Sequence, residues 1–151
     1  MSDFALRWNN QLGHADLVMT GADLLVDDGL ETAVIISMFT DRRANDDDVL
    51  PQPGGDLRGW WGDSYAAIAG DKIGSRRWLL ERAKALPSVY AEVQVYDQES
   101  LQWLIDDGVV SSVGLAYSSP KLGWLRTVVT LARPSGAPVQ YRFDYLWGAS
   151  A

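Results

Sequence analysis

The hydrophobic period of the chain changes at Gly108, and that change leaves few folds open. Upstream, Pro87 suits the first turn of a helix, and Val89, Val93, Tyr96, Ser100 and Leu104 recur at helical spacing, with Tyr90, Leu101 and Ile105 widening the stripe. This helix is expected to stop at Asp107, because Gly108 can take the left-handed conformation that closes helices. Downstream, Val110 to Tyr117, Trp124 to Ala132 and Val139 to Tyr145 are rich in β-branched and aromatic residues, and Ser118-Ser119-Pro120 and Pro134-Ser135-Gly136 separate them. These runs predict a three-stranded antiparallel meander. In the last of them Val139, Tyr141, Phe143 and Tyr145 alternate with Gln140, Arg142 and Asp144, so one face should pack on the helices and the other meet water or a partner. The expected class is α+β: two or three helices packed on a small antiparallel sheet, with a long central loop.

The first half is less periodic. Residues 1–15, with Asn9, Asn10 and Gly13, read as an N-terminal arm or loop, and residues 16–151 as a single domain. Short strand-like pieces are expected at Asp16 to Met19 and Asp23 to Val26, followed by turn chemistry at Asp27-Asp28-Gly29. Leu30, Ala33, Val34, Ile36 and Met38 then support a buried helix from Leu30 to about Phe39; the β-branched Val34, Ile35 and Ile36 keep a strand as its rival. Thr40 to Tyr65 is irregular, and a loop this long within a compact domain is usually functional or partly mobile. Gly74-Ser75 opens a second helix, Arg76 to about Lys84, with Ser75 placed to cap its free N–H groups.

Composition excludes more than it selects. A chain of 151 residues suits one domain, and 47% apolar with 22% charged residues is a globular balance. Thirteen Lys and Arg against twenty Asp and Glu leave a net charge of −7, which disfavours binding to a nucleic-acid backbone. The absence of cysteine removes disulfides, thiolate nucleophiles and Cys-based zinc sites. Met1 to His14 lacks the apolar core of a signal peptide and no run is long enough to span a bilayer, so synthesis in the cytoplasm and no membrane partner are expected.

The candidates for chemistry are few, and no cofactor or metal is expected. His14 is the lone histidine, which removes Ser-His-Asp and multi-histidine constellations, and it reads as a solvated loop residue. Asp46-Asp47-Asp48 lacks the alternating spacing of a calcium loop and reads as a solvated acidic loop. Asp41, Asp56, Asp63 and Asp71 surround a Trp-rich loop that could stack on sugar rings, so a peptidoglycan-acting glycoside hydrolase is the enzymatic alternative. A host carbohydrate- or protein-binding module is the other. The pairs Arg42-Arg43 and Arg76-Arg77 can fork onto nearby carboxylates within the domain or reach across to a neighbour. Trp60 and Trp61, in extended chain, should point in opposite directions, one ring into the core and one toward an interface.

Several blocks together are recognisable: Leu30 through Ala44 (LETAVIISMFTDRRA), Gly59-Trp60-Trp61-Gly62-Asp63, Gly74-Ser75-Arg76-Arg77-Trp78-Leu79-Leu80, Leu101 through Val109, and the closing Tyr141-Arg142-Phe143 and Leu146-Trp147. In this order they strongly resemble the phage Mu-like gene-product-46 family, over nearly the whole chain. The resemblance implies a non-enzymatic structural protein of a contractile tail baseplate, related to the small wedge protein beside the baseplate hub and at the start of the sheath. In that smaller group a Gly-Glu-Arg turn follows a helix and an aromatic-Gly pair comes later. Asp41-Arg42-Arg43 and Trp61-Gly62 occupy those places here, without the Gly-Glu of the turn. Implied partners are other wedge, hub or spike proteins and the tail sheath, with six copies per baseplate and a location in the virion tail. Asp41, Arg42, Arg43, Trp60, Trp61, Gly62, Asp63, Ser75, Arg76 and Trp78 are the residues expected to make interfaces or anchor loops. A final strand or terminal segment is expected to add to a neighbour's sheet.

Overall fold

The computed structural model describes residues 3–27, 29–84 and 86–147. In chain order the elements are strands β1 (Asp3–Phe4), β2 (Leu6–Asn9), β3 (His14–Leu17), β4 (Met19–Thr20), β5 (Asp23–Leu24) and β6 (Val26–Asp27), helix α1 (Glu31–Phe39), 3-10 turns at Trp61–Tyr65 and Arg76–Leu80, helix α2 (Pro87–Asp106), and strands β7 (Ser112–Ser118), β8 (Trp124–Ala132) and β9 (Val139–Leu146).

The meander forms as the period demands. β8 lies between β7 and β9 and pairs antiparallel with both, Leu115 opposite Val129 and Val129 opposite Tyr141. Leu125, Thr127, Val129 and Leu131 point to the buried face. α1 brings Val34, Ile35 and Met38 to that face, α2 brings Leu101 and Leu104, and Phe143 completes the cluster. β-branching did not turn residues 31–39 into a strand. Their apolar positions face one core together, and tertiary burial outweighs the modest helix penalty of Val and Ile. At the other end of α2, Asp107 ends the helix and Gly108 has φ +71°, the left-handed residue expected there.

The N-terminal segment is not an arm or loop over its described residues. β2 and β3 form a hairpin whose Asn9 carboxamide oxygen accepts from Gln11 N (2.9 Å) and Leu12 N (3.1 Å), with Gly13 at φ +72°. The Asn and Gly residues that look like loop chemistry are therefore its turn. The hairpin is held to the core by Trp8, which stacks on Phe39 at 4.2 Å and donates from Nε1 to the Asp144 carbonyl at 2.9 Å. Asn10 Oδ1 accepts from Asp144 N at 2.8 Å, so the edge of β9 is capped there.

Residues 3–9, 14–20 and 23–27 form a closed triangle, because β2 pairs with β3, β4 with β5, and β6 with β1. The three kinks at its centre bond in a ring: Ala5 N to Leu25 O (2.7 Å), Leu25 N to Val18 O (2.8 Å) and Val18 N to Ala5 O (3.1 Å). Each of the three segments satisfies backbone groups on the other two, which lets very short strands hold without a long ladder. Asp27 follows, its carboxylate accepting from Gly29 N (2.8 Å) and Thr32 N (3.1 Å) and so satisfying the start of α1. The expected Asp27-Asp28-Gly29 turn includes Asp28, which lies outside the described residues.

The expected helix from Arg76 to Lys84 is instead one 3-10 turn, Arg76–Leu80. Its bonds run three residues back, Glu81 N to Trp78 O and Ala83 N to Leu80 O, and its consecutive side chains are drawn to different partners. Ser75 does cap it, Oγ accepting from Arg77 N at 3.2 Å.

Candidate functional site

The turn after α1 and the segment before Arg76 are joined into one unit. Asp41 and Ser75 form an isolated parallel bridge, with Ser75 N donating to Thr40 O (2.9 Å) and Arg42 N donating to Ser75 O (3.0 Å). Trp78 Nε1 closes the unit on Arg42 O at 2.7 Å. Gly74 makes this approach possible. It has φ +94°, and a Cβ there would sit 2.3 Å from Thr40 O.

Three arginines radiate from this unit. Arg76 Nη1 donates to both oxygens of Asp48 (2.8 and 2.9 Å), its Nε donates to Glu99 (3.1 Å), and its guanidinium lies over Tyr96. Burial opposes its charge, but the hydrogen bonds to Asp48 and Glu99 prevail and raise its pKa. Asp48 is thus a half-buried anchor, while Asp46 and Asp47 are solvated as expected. Arg58 was not foreseen. It spans Asp41 (3.0 Å) and Glu81 (3.0 Å) and covers the Trp78 ring at 4.4 Å, and its φ of +54° is unusual for a side-chain-bearing residue.

Arg77 points inward. Its Nε lies 3.2 Å from Asp97 Oδ1, its Nη2 donates to the Tyr145 hydroxyl, and its plane lies between Phe39 (5.0 Å) and Tyr145 (4.6 Å). Asp97 is wholly buried, and the Tyr117 hydroxyl donates to its Oδ2 at 2.7 Å. Burial pushes the Asp97 carboxyl up, against the pull of Arg77 and Tyr117. Burial and the neighbouring Asp97 push the Tyr117 phenol far up as well. This network ties the 3-10 turn, α2, β7 and β9 together. Its sequence signal was position 97 itself, which falls on the buried stripe of α2 between Val93 and Leu101.

The remaining candidates lie elsewhere. Arg42 is half-buried and Arg43 exposed; among the described residues neither pairs with a carboxylate, and Arg43 donates only to the Arg58 carbonyl, at 3.4 Å. Trp60 and Trp61 do not divide between core and surface. Both are exposed, 47% and 74%, with ring centroids 5.6 Å apart, and Tyr65 stands edge-on to Trp61 at 6.3 Å. Opposed directions would require extended chain at both, whereas Trp61 starts a 3-10 turn and Trp60 folds back over Gly62. A Cβ on Gly62 would lie 2.3 Å from the Trp60 ring. Asp63 Oδ1 accepts from Ile73 N at 3.1 Å and fastens the loop below the rings.

The carboxylates considered for hydrolysis serve the loop. Asp41 holds Arg58, Asp56 accepts from Arg58 N at 3.0 Å, Asp63 holds Ile73, and Asp71 is exposed. A cavity of about 480 Å³ opens between the end of α1, the Arg76–Leu80 turn and the end of β9, lined by Phe39, Arg77, Trp78, Tyr145 and Trp147 among others. Its walls mix aromatic, aliphatic and charged side chains, and its two acids, Asp41 and Glu81, are both committed to Arg58. His14 is exposed, and among the described residues no group of acidic or histidine side chains is arranged to hold a metal ion. Among the described residues no helix is long and apolar enough to cross a membrane.

A family model described as phage protein GP46 matches residues 30–138. The chain is 44% identical over 143 residues to a protein of Escherichia phage Mu named baseplate protein gp46, covering 95% of each. It is 42% identical over 147 residues to the Mu-like prophage FluMu protein gp46 of Haemophilus influenzae, covering 97% of this chain and 98% of the relative. The matched region contains the joined unit, the Trp60-Trp61 loop, α1, α2, β7 and β8.

Proposed function

Because this chain belongs to the phage GP46 protein family, we propose that it is a non-enzymatic structural subunit of a contractile tail baseplate, binding neighbouring wedge, hub or sheath proteins during tail assembly. The observation that carries this reading is the near-full-length similarity to a protein named as a Mu baseplate component. The chemistry agrees with it. The most deeply buried acid, Asp97, is engaged by Arg77 and Tyr117, which is the arrangement of a structural brace and leaves no free general acid or base there.

Two surfaces suit assembly. β7 is an edge strand of seven residues, Ser-Val-Gly-Leu-Ala-Tyr-Ser, with no charge or proline to deter pairing. The opposite edge, β9, is capped at Asp144 by Trp8 and Asn10. An extended segment of a neighbour adds to the β7 edge, main chain to main chain. The second surface is the joined unit, where Arg42 and Arg43 have no partner carboxylate among the described residues and can anchor a neighbouring subunit. The protein is assembled into tails in the host cytoplasm and sits in the virion baseplate, six copies per tail. Replacing Ala116 on the exposed face of β7 by Lys should leave the melting temperature unchanged and reduce incorporation into tails. Normal tails carrying A116K would remove the edge from the interface.

A further inference from the structure

Trp60, Trp61 and Tyr65 form an aromatic platform that the fold builds and then leaves uncovered. The rings are 47%, 74% and 81% exposed, yet their placement is defined: Trp60 lies on Gly62, Trp61 packs against Trp60, and Tyr65 stands edge-on to Trp61. Asp63 sits within the same turn. One carboxylate oxygen takes the Ile73 N–H, and the other, Oδ2, is buried with no hydrogen-bond partner.

Elsewhere the fold treats aromatic faces differently. Cations lie over Trp78 (Arg58, 4.4 Å), Tyr96 (Arg76, 5.0 Å), Phe39 and Tyr145 (Arg77, 5.0 and 4.6 Å) and Trp124 (Lys121, 3.8 Å). These five pairs are about two and a half times the roughly one pair per 70–80 residues of ordinary proteins. Among the described residues no such pair involves Trp60, Trp61 or Tyr65. Arg58, Arg76, Arg77 and Arg126 are held in ion pairs within the fold, and the chain carries a net charge of −7. Electron-rich ring faces, an incompletely satisfied carboxylate and a negative overall field all favour the same visitor, a positive side chain.

We propose that the Trp60–Trp61–Tyr65 platform docks an arginine- or lysine-bearing segment of another tail protein, its cation lying over the rings beside Asp63. This rests on the baseplate reading for where the partner comes from, and it adds the chemistry by which the partner is recognised. A purely apolar partner would use the rings as surface area only. A cationic one requires them to be aromatic.

That difference sets the experiment. Tails are assembled with unmodified chain competing against Trp61→Phe, Trp61→Leu or the double variant Trp61→Leu/Tyr65→Leu, and incorporation is read by mass spectrometry. Trp61 and Tyr65 are so exposed that the melting temperature should not move, and thermal unfolding of each variant checks this. Trp61→Phe should keep most of its incorporation, and Trp61→Leu should fall by about two- to fivefold, the ratio given by one exposed cation–π contact. The double variant should fall by about tenfold, and raising the salt during assembly should narrow these gaps. A photo-cross-linking residue at Ser64 should capture a peptide containing Arg or Lys. The proposal is overturned if Leu serves as well as Phe at position 61, or if Ser64 captures a segment without a basic residue or nothing at all in tails that contain the protein. Tails that lack the protein altogether would overturn the baseplate reading, and this proposal with it.

Discussion

Replacing Asp97 by Ala should destabilise the protein more than any change at an exposed charge. Asp97 is 0% exposed and Arg77 8%, so the variant leaves a guanidinium in the interior with the Tyr145 hydroxyl as its remaining neutral partner. Removing one member of a buried pair costs about 3–5 kcal/mol, because the surviving charge is largely kept from water and left without a counter-charge. For a domain of this size each kcal/mol lowers the melting temperature by roughly 2–4 °C, so the expected fall is about 6–20 °C. Thermal unfolding followed by circular dichroism, with urea titration as a second probe, measures it. Tyr117→Phe removes only the 2.7 Å hydrogen bond to the carboxylate and should cost about 1.5–3 kcal/mol. The pair change Arg77→Met/Asp97→Leu should recover most of the loss, since it removes both charges and fills the space with apolar atoms. If Asp97→Ala melts within a degree of the unmodified protein, the brace does not hold the four elements together and the reasoning fails.

Other outcomes follow from single contacts. Gly74→Ala should open the Asp41–Ser75 bridge, costing about 1–2 kcal/mol for the left-handed backbone alone, with the clash on Thr40 O added; hydrogen exchange at Arg42 and Ser75 N–H reports the opening. Gly62→Ala should leave stability nearly unchanged, because its Cβ meets only the outer atoms of the Trp60 ring, but it should displace that ring and alter the near-UV dichroism of the Trp60-Trp61 pair. Hydrogen bonds from Arg126 hold the Asp144 carboxyl below its ordinary value of 3.8. Its stabilising contribution is therefore present above pH 3.8 and lost as pH falls through the lower folded value, so Asp144→Asn should flatten the acid limb of the stability curve.

The parts of the fold that were legible are those where one periodic signal runs long enough to be unambiguous. α2 and the three strands after it extend over seven to twenty residues each, and their stripes match the buried faces. Asp144 is an exception on β9: alternation places it outward, but the N-terminal hairpin and the Arg126 fork bury it. The N-terminal triangle was not legible because its strands are two to four residues long, too short for alternation to register. Its stability lies in the ring of backbone bonds through Ala5, Val18 and Leu25, which leaves no trace in side-chain pattern. Arg76 pairs with Asp48 and Glu99 in place of the carboxylates nearer in sequence. Arg58 was missed because its partners, Asp41 and Glu81, are 17 and 23 positions away and are brought to it by the bridge at Ser75 together with the Ala44 N to Leu57 O bond.

The baseplate assignment is tested most directly by quantitative mass spectrometry of purified tails, comparing tails made with and without this chain. The account predicts a fixed stoichiometry of six copies per tail, at the baseplate end in electron micrographs, and no complete sheathed tails when the chain is deleted. Intact tails that contain none of it, or that assemble normally in its absence, would contradict the account.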